Sequence, residues 1–480
     1  MSDHPHRAYW NRRGFLKAGS ASVSALLLSS LTERATAQER PSIDVAGALP
    51  ARETLLIRGA YVLSMDAQIG DLANSDVLVS DGQIQAVGQG LPSEGARVID
   101  AQGMILIPGL VDTHWHMWNS LARSFVPTPA GESFASAMKK ITAGYEPATA
   151  YLAVRLSAAE ALHSGVTTVN NWAHNTAGPA FADAELQALR DSGLRGRFSY
   201  GYPQALASDQ PMDFVDARRF AAQLEGDPLW RFGIAVRGPE RTGEKVWRAE
   251  WAFARELGVP LSTHIAVTRE LQKQRAIRQL ERDGLLGADV QLVHATHADD
   301  DDCRAIAAAG SPVSLSPWTE MRVGYGLPPV LRLHQAGVAL SLSVDNTALA
   351  GNSDFFSIMR VLINLASGMS EDSMALLPRQ VLEWATLGGA RDLGLADSIG
   401  SITPGKRADL LLIDARRLGT APLTDAAAIV TQSATPADVV MVLADGREVK
   451  RDGQLTGLDQ QQLVSDVERG WSTLRAKAGY

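Results

Sequence analysis

Near both ends of the chain, apolar and polar residues alternate in short runs. Between the ends, short apolar runs are separated by helix-spaced ones. The first β-patterned region holds TLLIRGAYVLSM (54–65), SDVLVSDGQIQAVG (75–88) and RVIDAQGMILIPG (97–109), and the texture returns in RADLLLIDA (407–415) and DVVMVLADGREVKRDGQL (438–455). Period-two alternation of this kind predicts strands. Asp81-Gly82, Asp445-Gly446 and Asp452-Gly453 are turn pairs suited to tight hairpins. The two halves, residues 38–107 and 401–480, predict one β-sandwich domain built from both chain ends, closed by an amphipathic helix over roughly 457–478. Between them, residues 108–400 carry eight strand patterns: LVDTHWH, VTTVNN, GRFSYG, GIAVRG, PLSTHI, VQLVH, PVSLS and ALSLSVD. Stretches with apolar residues three and four apart lie between these strands, for example EKVWRAEWAFAREL at 244–257. Eight β-then-α units predict an α/β fold, a (β/α)8 barrel whose functional side chains sit at the C-terminal strand ends. An open doubly wound sheet would want a glycine-rich phosphate loop after its first strand, and neither G-x-G-x-x-G nor a Walker pattern occurs.

The first 37 residues are read as an address rather than as fold. NRRGFLKAGSASVSALLLSSLTERATA (11–37) places Arg12 and Arg13 before Phe-Leu-Lys, then an apolar stretch, then Ala35-Thr36-Ala37. The apolar part is too short for a comfortable bilayer span, and the order of regions is that of a cleaved export signal. The arginine pair resembles a twin-arginine signal. Cleavage after Ala37 would leave a periplasmic protein with no stable membrane anchor, exported folded, with the twin-arginine machinery as its partner. His4 and His6 fall in this segment and are set aside as ligands. The rest of the composition excludes more than it suggests. A net charge of −8 with no basic stripe argues against nucleic acid. The single cysteine, Cys303, rules out an intrachain disulfide and a Cys-rich metal site. A homo-oligomer is compatible with the sequence.

The chemistry gathers at the strand ends. In GLVDTHWHMWN (109–119), His114 and His116 are two residues apart, so a strand turns both to one face and Trp115 to the other. Neutral imidazole is a common ligand for divalent metals. His264 ends the fifth barrel strand, His294 the sixth and Asp345 the eighth. An unpaired carboxylate buried at the end of an apolar strand is costly; a metal ion removes that cost and organises the set.

At this point the sequence resembles the amidohydrolase superfamily, in the branch of cytosine and guanine deaminases and triazine hydrolases. The pieces that carry the resemblance are IPGLVDTHWHMWNSLAR, GVTTV, STHIA, LVHATHAD, SLSPWTEMRVGYG, GVALSLSVDN, ATLGGARDLG and GSITPGKRADLLLID. They span about residues 54–450. The resemblance implies one divalent metal held by His114, His116, His264 and Asp345, with a water at the open position. Ligands of this hardness, without thiolate, suit Zn2+, and Fe2+ or Mn2+ nearly as well. It further implies that Asp345 shuttles the water's proton to the leaving nitrogen. His294 would steady the attacking oxygen or polarise the attacked carbon's substituent; His297 is a second candidate for that place. Some binuclear members bridge two metals with a carbamylated lysine at the fourth strand. Here that strand reads FGIAVRGPE, with Arg237 and no lysine, so a one-metal site is expected.

The chain departs from the branch at one position. Its deaminases carry His-x-x-Glu at the fifth strand, the glutamate protonating the ring nitrogen; here the stretch is His264, Ile265, Ala266, Val267. Another carboxylate is therefore sought. Glu320, at the seventh strand, is assigned as the catalytic proton donor, beside Asp345 and His294. Glu240, after the fourth strand, is a second rim carboxylate. Each could instead form a salt bridge, with Arg322 and Arg241 respectively. Trp118, Trp172, His174 and Trp318 follow strands one, two and seven, where aromatic rings could stack on a planar substrate. ADDDDC (298–303) is read as the acidic first turn of a helix rather than a calcium loop. The expected function is metal-dependent hydrolysis of a non-peptide carbon–nitrogen bond in a small cyclic or heteroaromatic substrate. The alternatives are hydrolytic deamination or dechlorination of a heteroaromatic ring, and a silent ligand-binding scaffold.

Overall fold

The computed structural model describes residues 48–125 and 132–480; the export signal read over residues 1–37 lies outside them. The chain begins with β1 (Leu55–Leu63), β2 (Asp71–Ser80), β3 (Gln83–Gly88), β4 (Arg97–Asp100) and β5 (Met104–Pro108). Eight barrel strands follow: β6 (Leu110–Trp115), β7 (Val166–Ala173), β8 (Arg195–Tyr200), β9 (Trp230–Val236), β10 (Leu261–Ile265), β11 (Val290–His294), β12 (Val313–Leu315) and β13 (Leu340–Leu342). The chain then returns with β14 (Leu410–Asp414), β15 (Val439–Ala444), β16 (Arg447–Arg451) and β17 (Gln454–Leu455).

The two β-rich ends form one nine-stranded sheet, ordered β17-β16-β15-β14-β5-β1-β2-β3, with β4 on β1. Its seam is the antiparallel pair β5–β14, in register from Leu410 opposite Pro108 to Asp414 opposite Met104. Side chains alternate across that seam, as strand geometry requires. Leu106, Leu410 and Leu412 fill a core on one face with Ile57, Val77 and Val79. Ile105, Ile107, Leu411 and Ile413 join the barrel's core on the other. Each strand is therefore apolar on both faces, which is why these runs lack polar breaks. At the turn pairs both residues take positive φ: Asp81 52° and Gly82 75°, Asp445 53° and Gly446 73°, Asp452 49° and Gly453 79°.

β6 to β13 pair side by side in chain order, all parallel. The ring closes between its first and last strands. His116 N donates to Asp345 O at 2.6 Å, and Asp345 N donates to His114 O at 2.9 Å. Closure thus fixes Asp345 beside both histidines through the backbone alone. Below that level the barrel is filled by small polar side chains. Thr113 Oγ1 lies 2.8 Å from the hydroxyls of Ser314 and Ser341. Asn170 and Gln291 donate to the Thr113 carbonyl at 3.0 and 2.9 Å. Ser262 donates to Gln291 at 2.6 Å. A buried polar network is tolerable when its members are paired, and this one explains the Ser, Thr, Asn and Gln in strands that otherwise read as apolar.

The helix Glu244–Leu257 forms over the patterned stretch and ends at Gly258, φ 65°. Asp300–Ala309 carries the acidic first turn. Asp299 caps it by accepting from Asp302 N at 3.0 Å, so the carboxylates there serve a helix start. The closing helix is Gln460–Lys477; its Leu463 and Leu474 are buried in a cluster with Leu152 and Ala153 of the helix Pro147–Ser164. No described helix is long and apolar enough to cross a membrane.

Candidate metal centre

His114 lies in β6 and His116 one residue past it; both are buried and turned into the barrel mouth. His264 comes from β10, and Asp345 from the turn that follows β13. One ligand atom from each of these four side chains can be chosen so that all lie within 4.8 Å of one another. Asp345 Oδ1 is 3.2 Å from both His114 Nε2 and His116 Nε2, and His116 Nε2 is 3.3 Å from His264 Nε2. Four ligands about 2.0–2.1 Å from a zinc ion in a tetrahedron stand about 3.3 Å apart. The side chains therefore fit one small divalent ion.

Charge and tautomer agree with that fit. Burial drives His114 down to about 3 and His264 well below the usual histidine range, so both are neutral at pH 7 and offer lone pairs. Burial alone would raise Asp345, but hydrogen bonds with His114 and His116 outweigh it and hold the carboxyl well below its usual range. His116 Nδ1 faces the Trp172 carbonyl at 3.2 Å. A carbonyl only accepts, so Nδ1 carries the proton and Nε2 is left as the ligand atom. His114 Nδ1 is buried with no hydrogen-bond partner, so this imidazole keeps an uncommitted nitrogen.

His294 ends β11 in the left-handed region, φ 72°, as Asp345 does at φ 65° and Ala266 at φ 49°. Such backbone is strained for residues other than glycine, and it clusters here at the mouth. Its effect at His294 is to turn the ring into the cavity, with Nε2 4.0 Å from Asp345 Oδ2. The cavity above the cluster measures about 440 Å3 and is lined by His116, His264, His294 and Asp345.

The remaining expected site residues divide. Trp118 and His174 line this cavity. Trp118 Nε1 donates to His174 Nδ1 at 3.2 Å, and the Gln204 side-chain NH2 faces the other ring nitrogen, Nε2. Trp172, Glu240, Glu320 and Trp318 do not line it. Trp172 is still inside β7 and fully buried. Its Nε1 donates to Ser262 at 3.0 Å and its ring centroid is 4.4 Å from that of His264, so it packs against the cluster and off the cavity wall. Trp318 stands 39% exposed on the short helix Pro317–Arg322 and donates to Ser357.

Glu320 stands off the cavity wall. It is completely buried, and its Oε1 accepts from Ser316 N at 2.8 Å and faces His294 Nδ1 at 3.1 Å. The carboxylate fixes the proton of His294 on Nδ1 and leaves Nε2 open toward the cavity. The imidazole stands between Glu320 and the cavity. Glu240 does not pair with Arg241 either. Both its oxygens accept from Ala266 N, at 2.9 and 3.0 Å, and burial raises it to about 7. His297 Nε2 is engaged with the Tyr325 carbonyl at 2.7 Å and does not line this cavity, whereas His294 does. Arg237 is committed to the Ala207 carbonyl and to Glu250. It offers no place for a second ion, and among the described residues one metal-binding group is found.

The cavity wall also brings in residues the sequence did not single out for it: Asn119, Lys139, Tyr202, Arg241, Tyr325 and Asn346. Arg241 had a sequence signal, its place directly after a barrel strand beside Glu240. Lys139 had none, since it comes from the helix Phe134–Thr142 that folds back over the mouth.

The Amidohydrolase family matches residues 105–449. The 5-methylthioadenosine/S-adenosylhomocysteine deaminase of Symbiobacterium thermophilum is 32% identical over 444 residues, 88% of this chain and 99% of its own length. An adenosine deaminase from Xanthomonas campestris, solved with bound zinc, superposes with a TM-score of 0.79 at 26% identity, covering 89% of this chain and all of that one. The zinc complex of atrazine chlorohydrolase from Arthrobacter aurescens TC1 shares the fold, with a TM-score of 0.77 at 21% identity over 87% of this chain and all of that one. With its barrel, its metal-binding cluster and these similarities, the chain belongs to the amidohydrolase family and is a metal-dependent hydrolase of carbon–nitrogen bonds other than peptide bonds.

Proposed function

We propose that the protein cleaves an exocyclic carbon–nitrogen bond on a small heteroaromatic ring, using one Zn2+ held by His114, His116, His264 and Asp345. The observation that carries this reading is the convergence of three imidazoles and one ionised carboxylate on a single point beneath a cavity of about 440 Å3. A metal bound there lowers the pKa of water toward about 7 and so supplies a nucleophile at neutral pH. Asp345 takes the water's proton and passes it to the leaving nitrogen. His294, its tautomer set by Glu320, presents Nε2 as an acceptor beside Asp345 and orients the attacking oxygen. Trp118 and His174 form one side wall against which a planar ring can lie. The adenosine-type deaminases among the relatives support the choice of ring substrate and metal.

Val267 qualifies this proposal. It is buried and off the cavity, and among the described residues Asp345 is the cavity's only carboxylate. Proton delivery then rests on Asp345 alone. That favours a second reading, displacement of a leaving group such as halide, which needs no proton. The test of both is a panel of aminopurines, aminopyrimidines and chloro- and amino-triazines with the zinc-loaded protein. Release of ammonia or chloride is expected, abolished by chelation and restored by one equivalent of Zn2+ per chain. No release from any member with a full metal site would remove the reading.

The sequence alone supports a twin-arginine export signal and a periplasmic location. The mature N-terminus is then expected at or near Gln38, and Arg12→Lys with Arg13→Lys should deplete the periplasmic protein. N-terminal sequencing that finds Met1 on periplasmic material would contradict this.

A further inference from the structure

The hydrolase reading leaves two side chains of the cavity wall without a task. Arg241 follows β9 in the loop before the helix Glu244–Leu257, and Lys139 belongs to the helix Phe134–Thr142 on another side of the mouth. Both are exposed and both line the cavity that holds the metal cluster. Among the described residues, neither side chain forms an ion pair with any carboxylate. The acidic neighbours that could have served are already engaged. Glu240 is turned onto Ala266 N, and Glu132 is taken by Lys140, Ser136 and Tyr480.

The Arg241 side chain nevertheless faces the site. It interacts electrostatically with Tyr325, whose ring lies 5.6 Å from that of His294. It is also within electrostatic reach of His174 and His264. The guanidinium thus stands over the cavity beside a neutral phenol, with Glu240 in electrostatic reach but not ion-paired to it. Asp345, the one carboxylate on the wall, is committed to the metal-binding cluster. A mouth with two cations outside any ion pair, and no carboxylate on the described wall besides Asp345, is a poor place for a cationic substrate. It suits a negatively charged oxygen group, which a guanidinium fork engages through two parallel hydrogen bonds.

We propose that Arg241 and Lys139 form an anion-binding subsite, and that the substrate is a heterocycle bearing a carboxylate or a phosphate, with the ring at the metal cluster and the anionic group at the mouth. This rests on the hydrolase reading for the ring end only; the charge end stands on Arg241 and Lys139 themselves.

The experiment uses zinc-loaded protein, wild type and the Arg241→Gln/Lys139→Gln double variant. Each is titrated by calorimetry with an aminopurine, an aminopyrimidine and an aminotriazine, every core as its neutral, carboxylate and phosphate form. For a core that binds, the anionic form should bind about 10- to 100-fold more tightly than the neutral one. That advantage should shrink as salt rises. It should vanish in the double variant, while the neutral form stays within about threefold and the melting temperature is unchanged. Whether the carboxylate or the phosphate gains more identifies the group. Three results overturn the proposal: a neutral form that binds as tightly as its charged partners, an advantage that survives in the double variant because the metal itself holds the anion, or no binding by any anionic form. Ammonia release is followed in the same samples. Tight, Arg241-dependent binding without bond cleavage keeps the anion subsite and removes the hydrolase reading. Cleavage of neutral forms without any preference does the reverse.

Discussion

Asp345→Asn should fold as the parent does and lose about 10²- to 10⁴-fold in kcat, with weakened metal retention. Asparagine is the right substitution because Asp345 sits at φ 65°, a conformation asparagine tolerates and alanine does not. The loss therefore reports chemistry and not backbone strain. The amide keeps the size of the carboxylate and gives up its charge and its capacity to carry a proton. Its backbone bonds to His114 and His116, which close the barrel, are untouched. Thermal melting and circular dichroism should match the parent in the metal-free state, while turnover and metal content fall. Near-normal turnover in this variant would show that Asp345 carries no proton.

Changes at the His294–Glu320 pair should separate two roles that the sequence could not distinguish. His294→Asn removes the ring that faces the cavity while tolerating the left-handed backbone at φ 72°, and should cost about 10²- to 10⁴-fold in kcat. Glu320→Gln should cost less, about 10- to 100-fold, since it acts only through His294. The glutamine oxygen can still accept from Nδ1, but the amide can also turn its NH2 to that nitrogen and stabilise the wrong tautomer. The pH–rate profile of Glu320→Gln should keep both limbs, lower in height. Loss of one limb, with metal content unchanged, would instead make Glu320 the proton donor itself.

That distinction marks where the sequence stopped being legible. His114, His116, His264 and Asp345 could be found because strand parity and the end of each apolar run fix where such side chains point. The (β/α)8 barrel followed from the same alternation. Direction beyond a strand end did not. Glu320 lies one helical turn past β12, and the helix Pro317–Arg322 carries it back under His294 rather than over the mouth. Trp172 was expected past its strand, but β7 runs on to Ala173 and keeps the indole inside the barrel. The polar filling by Thr113, Asn170, Ser262 and Gln291 hides in strands with an apolar average, because only the inward positions are polar. Lys139 was out of reach for a different reason: it meets the mouth through tertiary packing of a helix that belongs to no strand end.

The central claim is a single metal ion among His114, His116, His264 and Asp345, and anomalous diffraction from crystals of zinc-loaded protein tests it most directly. One peak per chain is expected, about 2.0–2.3 Å from a nitrogen of each histidine and an oxygen of Asp345. Two peaks in the barrel mouth, or a peak bound elsewhere while these four side chains stay empty and the enzyme stays active, would contradict it.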